Sequence, residues 1–228
     1  MKYKHIIFDL DDTLCESKQN LGMEMKKALM SLKDSGIDTL VISGQNKEQI
    51  ERQLDGCPVT YILAQSGNHT PFWQTKFTAS QTRTIYIHVN KVRELFPKYK
   101  SRIKEKLENR GSQVAFSFIG HNADPVLKRE FDPDKKIRKQ VLETCPFNPS
   151  NGLIVKIAGT TCFDYTLIDG VKGKNIEKLL THLGWNKDDC VYFGDALFPG
   201  GNDETVIGVI ETVEVKNPED LLLKLKEL

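Results

Sequence analysis

Short apolar runs of strand character recur along this chain, and polar or glycine residues follow each of them directly. The first run is His5–Phe8, and similar runs occur at Thr39–Ile42, Tyr61–Ala64 and Cys190–Phe193. Runs of this length between turn signals are typical of buried strands. Because segments long enough for helical crossovers separate the runs, the pattern predicts a parallel sheet built from both ends of the chain.

Helical spacing between these runs supports that prediction. From Met23 to Ser35, the apolar residues Met25, Leu29 and Leu32 fall on one side of a helix and lysines fall on the other. Further helices are predicted at Lys47–Leu54, Asn175–Leu183 and Pro218–Leu228, and a further strand at Val206–Val209.

The middle of the chain has a mixed α+β pattern. Strands are predicted at Thr84–Val89, Val114–Ile119, Leu153–Ala158 and Cys162–Ile168, and helices at Lys91–Arg110 and within Lys128–Glu143 after Pro133. Such a pattern is typical of a small sheet with helices on one face. We therefore predict a discontinuous core, residues 1–82 and 167–228, with an inserted domain at residues 83–166.

Composition excludes several classes of protein. The 228 residues are 39% hydrophobic and 28% charged, with 32 basic and 31 acidic side chains, so the basic excess of a nucleic-acid binder is missing. No apolar run reaches the length of about 18 residues that a membrane span needs. Because the first predicted strand begins within about four residues of Met1, we expect no signal peptide. Five widely spaced cysteines without a Cys-x-x-Cys pair argue against zinc and disulfide frameworks and favour a cytoplasmic location.

Three acids within four residues follow the first predicted strand, at Asp9, Asp11 and Asp12. Clustered carboxylates repel one another and hydrate well, so they contribute nothing to a core. A hard cation such as Mg²⁺, which prefers oxygen ligands, would compensate their charge. One carboxylate of such a site could attack phosphorus while a second moves protons. An acidic turn or a helix N-cap is the alternative interpretation.

Further polar motifs lie where other predicted strands end or where a helix begins. They are Ser43-Gly44 after the second strand, Lys172-Gly173-Lys174 before a helix, and Gly194-Asp195 with Gly200-Gly201-Asn202-Asp203 after the strand that ends at Phe193. In open parallel sheets, ligands bind at the carboxyl ends of the strands. Hydroxyl and amide donors, a lysine and two further acids at that edge would suit a phosphate group and a cation.

Taken in order, these motifs resemble those of the haloacid dehalogenase (HAD) phosphotransferase superfamily. Its first motif is Asp-x-Asp-x-Thr, which Asp9, Asp11 and Thr13 fill without a gap. The resemblance implies an α/β fold, with a Rossmann-like parallel-sheet core and an inserted α+β cap domain. It also implies that Asp9 is the nucleophile that becomes an aspartyl phosphate and that Asp11 is the general acid/base. Ser43 and Gly44 would bind the transferring phosphoryl group.

The same resemblance implies a lysine and a metal site. The family lysine precedes a helix, and both Lys172 and Lys174 stand at such a place, with Lys172 in the commoner Lys-Gly pair. The expected Mg²⁺ ligands are Asp9, the backbone carbonyl of Asp11, Asp195, and Asp203, the last directly or through water.

Longer stretches resemble the phosphomannomutase branch of this superfamily. They are Phe193–Asp203, with its Pro-Gly-Gly-Asn-Asp spacing, and the cap segments Ser117–Gly120, Arg129–Phe131, Asp134–Lys136 and Cys162–Asp164. The resemblance implies a small phosphorylated sugar or related metabolite as substrate, with no nucleic acid or membrane partner. It leaves the oligomeric state open, a homodimer included.

Departures from that branch fall on groups that would recognise charge. Positions that hold cap arginines in phosphomannomutases correspond to Arg110, His121 and Lys128, and an arginine near the first motif corresponds to Lys18. Asp164 is kept. Arginine offers phosphate a rigid bidentate fork, whereas lysine is a point charge and histidine is often neutral.

These departures favour hydrolysis over mutase activity, because a mutase must retain a bisphosphate intermediate. We expect a sugar-phosphate phosphatase. The first alternative is a phosphomannomutase that interconverts mannose 1-phosphate and mannose 6-phosphate. A remote alternative is a non-catalytic protein that binds a phosphometabolite.

Overall fold

The structure, a computed structural model, describes residues 2–99, 106–148 and 150–228. The chain divides into two compact units, Met1–Gln74 with Gly170–Leu228, and Thr75–Asp169. The first boundary lies before the predicted 82/83, since Phe77 already packs on the hydrophobic core of the second unit. The second boundary lies a few residues after the predicted 166/167.

A five-stranded parallel sheet forms the centre of the first unit. Numbered along the whole chain, its strands are β1 (His5–Phe8), β2 (Asp38–Ile42), β3 (Tyr61–Leu63), β8 (Cys190–Gly194) and β9 (Glu211–Glu214). Their order in the sheet is β3-β2-β1-β8-β9, and every neighbouring pair is parallel. The chain therefore brings strands from both of its ends together, as the sequence predicts.

Helices cover both faces of this sheet, and the alternation of strand side chains decides which face each helix covers. They are α1 (Met23–Asp34), α2 (Lys47–Leu54), α6 (Lys172–Leu183) and α7 (Pro218–Leu225). Ile6 and Phe8 of β1 belong to one buried cluster with Leu29 of α1. Ile7 points the other way, into a cluster with Ile176 of α6. Because β1 is buried on both faces, the residue that follows it is held at a fixed place.

The second unit is an antiparallel sheet with one apolar and one polar face. Its strands are β4 (Leu107–Asn109), β5 (Gln113–Ser117), β6 (Leu153–Ala158) and β7 (Cys162–Leu167), in the order β4-β5-β7-β6, and its helices are α3 (Ala79–Leu95), α4 (Pro125–Phe131) and α5 (Lys136–Thr144). Phe116, Phe163 and Tyr165 form the apolar face, in one cluster with Val89 of α3 and Val141 of α5. Together the two units give the predicted α/β fold with an α+β insertion. Every helix among the described residues is too short or too polar to cross a bilayer.

The strand predicted at Thr84–Val89 is wrong, because this segment lies within α3. A capping box between Thr78 and Gln81 starts the helix. Its buried residues repeat with helical spacing and include a polar one, which hid the pattern; they are Ile85, His88, Val89 and Val92.

Two other predicted elements also differ from the structure. The helix predicted at Lys91–Arg110 ends at Leu95, and β4 occupies Leu107–Asn109, while residues 100–105 lie outside the described residues. The strand predicted at Val206–Val209 is wrong, since a 3₁₀ turn ends there and Gly208 has a φ of 85°. The sheet instead continues at β9, a polar edge strand.

A buried ion pair supports the second unit, and its loss should be costly. Arg138 is fully buried, donates to Asp132 at 2.8 Å, and donates to the carbonyls of Ala158 and Gly159 at 2.9 Å each. Arg138→Met should lower the free energy of unfolding in urea by about 3–5 kcal/mol, because it leaves the Asp132 carboxylate buried without its cation.

The matched control is Lys136→Met on the same helix, where Lys136 pairs with Asp134 at the surface, at 2.6 Å. An exposed pair of this kind contributes less than about 1 kcal/mol. Equal losses for the two variants would contradict the prediction.

Candidate active site

Three aspartates converge at the carboxyl ends of two central strands. Asp9 directly follows β1, Asp195 directly follows β8, and Asp203 returns from the loop after β8. One oxygen from each of the three lies within 4.8 Å of the others. Asp9 and Asp203 are buried, at 3% and 0% exposure, and Asp195 is half-buried. The structure thus brings together three of the predicted metal ligands.

Gly194 makes the return of Asp203 possible. A Cβ at this position would lie only 2.4 Å from Oδ2 of Asp203, which is closer than real contacts allow. The same carboxylate oxygen accepts from the backbone N–H of Ala196 at 3.3 Å, which holds the loop back against the strand end. The glycine of the Gly-Asp pair therefore provides space for a second acid beside the first.

Lys172 lies between two of these acids. It is the first residue of α6, and its ammonium donates to Asp9 at 2.5 Å and to Asp203 at 2.6 Å. Gly173 lets the start of the helix approach closely, since a Cβ there would lie 1.8 Å from the carbonyl of Thr205. Lys174 lies on the exposed side of α6 in an ion pair with Glu177 at 2.8 Å. Of the two candidate lysines, the structure places Lys172 at the acidic cluster.

The charges at the site leave a negative excess. Burial raises the pKa of Asp9 to about 7, against the lowering effect of the Lys172 charge. Burial alone would lower the pKa of Lys172, but the charges of Asp9 and Asp203 outweigh it and raise that pKa. Burial, with the charge of Asp203, also raises the pKa of Asp195.

The donor set fits a divalent cation. Three carboxylates face one ammonium, and when all are ionised two negative charges remain. Oxygen ligands of this kind are those Mg²⁺ prefers. Asp9, Asp195 and Asp203 would hold the ion, and the Asp11 carbonyl stays a prediction as a fourth ligand.

Asp11 is held by amide donors. Its carboxylate accepts from the side chains of Gln45 at 2.6 Å and Gln53 at 3.2 Å, and from the backbone N–H of Lys18 at 2.8 Å. The Lys18 side chain itself is exposed. All three are neutral donors, and together they fix the orientation of the carboxylate.

Ser43 and Gly44 directly precede Gln45, whose side chain donates to Asp11. Ser43 follows β2 and is buried, and its hydroxyl accepts from the backbone N–H of Gln45 at 3.2 Å. Gly44 is half-buried in the same turn. Both predicted phosphate-binding residues therefore stand at the same edge of the sheet as Asp9.

The predicted substrate-binding residues of the second unit gather near the polar face of its sheet. Arg110 pairs with Glu108 at 2.8 Å, and Asp164 accepts from the amide of Gln113 at 2.8 Å. Burial raises the pKa of Asp164 to about 6, against the charge of Arg110. His121 and Lys128 occupy the loop and helix that follow β5, and Lys128 donates to the His121 carbonyl.

Three contacting residues escaped the sequence prediction. Gln45 and Gln53 hold Asp11, and the hydroxyl of Tyr192 donates to Asp203 at 2.7 Å. Gln45 directly follows the Ser43-Gly44 pair, and this position in the sequence was the signal that could have identified it as a site residue. Tyr192 belongs to a run that predicts a buried strand, and such a pattern does not show where a hydroxyl points.

The sequence matches a known protein family over most of its length. The haloacid dehalogenase-like hydrolase family matches residues 6–96 and 74–207, which is most of the chain. The chain belongs to this family. Its members include the HAD phosphatases and phosphotransferases, so this chain is an enzyme of the phosphatase or mutase type.

Individual HAD relatives span almost the full chain. Phosphomannomutase 2 of Dictyostelium discoideum is 27% identical over 97% of this chain and 94% of its own length. The 5-amino-6-(5-phospho-D-ribitylamino)uracil phosphatase of Bacillus subtilis (strain 168) is 22% identical over 85% of this chain and 77% of its own. A haloacid dehalogenase-like hydrolase from Bacteroides thetaiotaomicron has the same fold, with a TM-score of 0.64 at 13% identity over 99% of both chains. The sequence relatives thus include both a mutase and a phosphatase.

Proposed function

We propose that this HAD enzyme is a Mg²⁺-dependent phosphatase that hydrolyses a small phosphorylated sugar through an aspartyl-phosphate intermediate. Phosphoryl transfer is supported by the position of the Lys172 ammonium, which is held between Asp9 and Asp203 at the strand ends. A buried cation at that place can donate to oxygens of a phosphoryl group as charge shifts during transfer.

The residues of the site divide the chemistry among them. An Asp9 oxygen attacks phosphorus in line, and the bond from phosphorus to the sugar oxygen breaks. Asp11 gives a proton to the departing oxygen and later takes one from the water that cleaves the aspartyl phosphate. Ser43, Gly44 and Lys172 orient the phosphoryl oxygens. Mg²⁺, when bound, would neutralise part of the phosphate charge.

Two residues of the second unit favour hydrolysis over mutase activity. Burial lowers the pKa of His121, against the charge of Glu108, so the imidazole is neutral near pH 7. The Lys128 ammonium donates to the His121 backbone carbonyl. A neutral ring and a partly engaged point charge hold a second phosphate less firmly than two arginine forks would. A sugar monophosphate that could accept the phosphoryl group from Asp9 would then leave the site sooner, and water would cleave the aspartyl phosphate instead.

Phosphomannomutase activity is the second candidate. The similarity to the Dictyostelium discoideum enzyme over nearly the whole of both chains favours it. Lys172 and the acidic cluster would serve either reaction equally well, because both begin with transfer to Asp9.

One assay separates the two activities. Enzyme, Mg²⁺, mannose 1-phosphate and a hexose 1,6-bisphosphate activator are mixed, and mannose 6-phosphate and inorganic phosphate are quantified by ³¹P NMR. We expect inorganic phosphate to predominate, with or without the activator. Predominant mannose 6-phosphate would identify a phosphomannomutase instead. The double variant His121→Arg with Lys128→Arg should shift the products toward transfer, since each bidentate contact adds about 1.5–3 kcal/mol.

A further inference from the structure

The ammonium of Lys172 uses all three of its donors inside the protein. Besides Asp9 and Asp203, it donates to the hydroxyl of Tyr192 at 3.2 Å. An ammonium has three N–H groups and no acceptor. To bind a phosphoryl oxygen, Lys172 must therefore release at least one of these partners or share a donor between two acceptors.

The Tyr192 hydroxyl has a fixed direction because of this arrangement. Since Lys172 can only donate, the phenolic oxygen accepts from it, and the phenolic O–H is directed to Asp203 at 2.7 Å. Lys172 and Tyr192 thus donate to the same oxygen, Oδ1 of Asp203. If the lysine turns toward a phosphoryl oxygen, the hydroxyl still holds that carboxylate.

Packing explains the ring of Tyr192 but not its hydroxyl. The ring is fully buried in the cluster that joins the sheet to α6, where a phenylalanine would fill nearly the same volume. A hydroxyl in such a core is costly unless it is hydrogen-bonded. Its two partners here are the lysine and one of the acids of the site.

We propose that the Tyr192 hydroxyl is a positioning group that holds Asp203 and Lys172 in the geometry needed for Mg²⁺ binding and phosphoryl transfer. Among the described residues, the hydroxyl hydrogen-bonds to Lys172 and Asp203, so Tyr192 acts through these two residues. The inference rests on the proposed function for its effect on turnover, but its effect on metal affinity does not depend on which substrate is used.

The test is Tyr192→Phe, which removes one oxygen atom and keeps the ring. The Mg²⁺ dissociation constant, measured by isothermal titration calorimetry without substrate, should rise about three- to tenfold. With a phosphate monoester, kcat should fall about tenfold while KM changes less than twofold. In an Asp203→Asn background, Tyr192→Phe should have little further effect on Mg²⁺ affinity, because the two residues act together.

The matched control is Tyr165→Phe in the second unit. Tyr165 is also fully buried, and its hydroxyl bonds to the His88 ring at 2.7 Å. This variant should lower the melting temperature, as loss of any buried hydrogen bond does, and leave Mg²⁺ affinity and kcat unchanged.

An unchanged Mg²⁺ dissociation constant in folded Tyr192→Phe protein would overturn the inference, and so would failure of this variant to fold. Neither result would affect the proposed function. If wild-type protein releases no phosphate from any monoester and Tyr192→Phe still weakens Mg²⁺ binding, the proposed function fails and the positioning role stands.

Discussion

Asp9→Asn is expected to abolish the phosphoenzyme, whereas Asp11→Asn should only slow turnover. Asp9 is the buried carboxylate beside the Lys172 ammonium, and an amide in its place cannot form an acyl phosphate. Asp11 is oriented by amide donors, and its replacement removes proton transfer, which typically costs about 10²–10⁴-fold in rate. Phosphoenzyme is measured by acid quenching of enzyme mixed with ³²P-labelled substrate, and turnover by phosphate release.

Binding of beryllium fluoride provides an independent test of the Asp9→Asn and Asp11→Asn variants. As a mimic of the phosphoryl group on aspartate, it should bind to wild-type protein and to Asp11→Asn and fail to bind to Asp9→Asn, which ¹⁹F NMR can detect. The matched control is Asp12→Asn, since Asp12 is exposed in the same turn. A phosphoenzyme in Asp9→Asn would show that another residue is the nucleophile.

Removal of divalent cations is expected to abolish phosphate release, and added Mg²⁺ should restore it. Three carboxylates have oxygens within 4.8 Å of one another, and the Lys172 ammonium offsets only part of their charge, so they repel one another unless a metal cation binds. Excess EDTA followed by a Mg²⁺ titration measures the effect. Asp195→Asn should require a higher Mg²⁺ concentration than the Asp12→Asn control. Full activity in excess chelator would disprove the metal requirement.

Local sequence patterns predict the central strands well, and through them the place of the site. Ile6–Phe8 and Val191–Phe193 are buried on both faces, so both the strands and the acids after them stand out in the sequence. The sequence pattern does not reveal the edge strand β9, because Glu211–Glu214 is only partly buried and Val213 is its single apolar residue. The misassignment of α3 has the opposite cause, since buried His88 occupies a core position that sequence patterns count as polar.

Contacts between distant segments are the part of the site that sequence patterns do not specify. Lys172 and Lys174 differ by two residues, and only the start and rotation of α6 decide which one is buried. The amide donors to Asp11 come from Gln45 and Gln53, and the direction of each side chain depends on tertiary packing. The family resemblance supplies roles for residues in motifs, but it does not identify Tyr192, which lies outside them.

The place of β1 between β2 and β8 has a consequence for biosynthesis. β1 pairs with β2 on one side and with β8, which begins at Cys190, on the other. The edge of β1 that faces β8 therefore stays unpaired until the ribosome has synthesised the chain as far as β8. The inserted unit has its own sheet and core, and it can fold during that interval. Asp9 can meet Asp195 and Asp203 only after the residues that follow β8 emerge from the ribosome. A nascent chain stalled before Cys190 should therefore expose a hydrophobic strand edge and depend on chaperones until translation resumes.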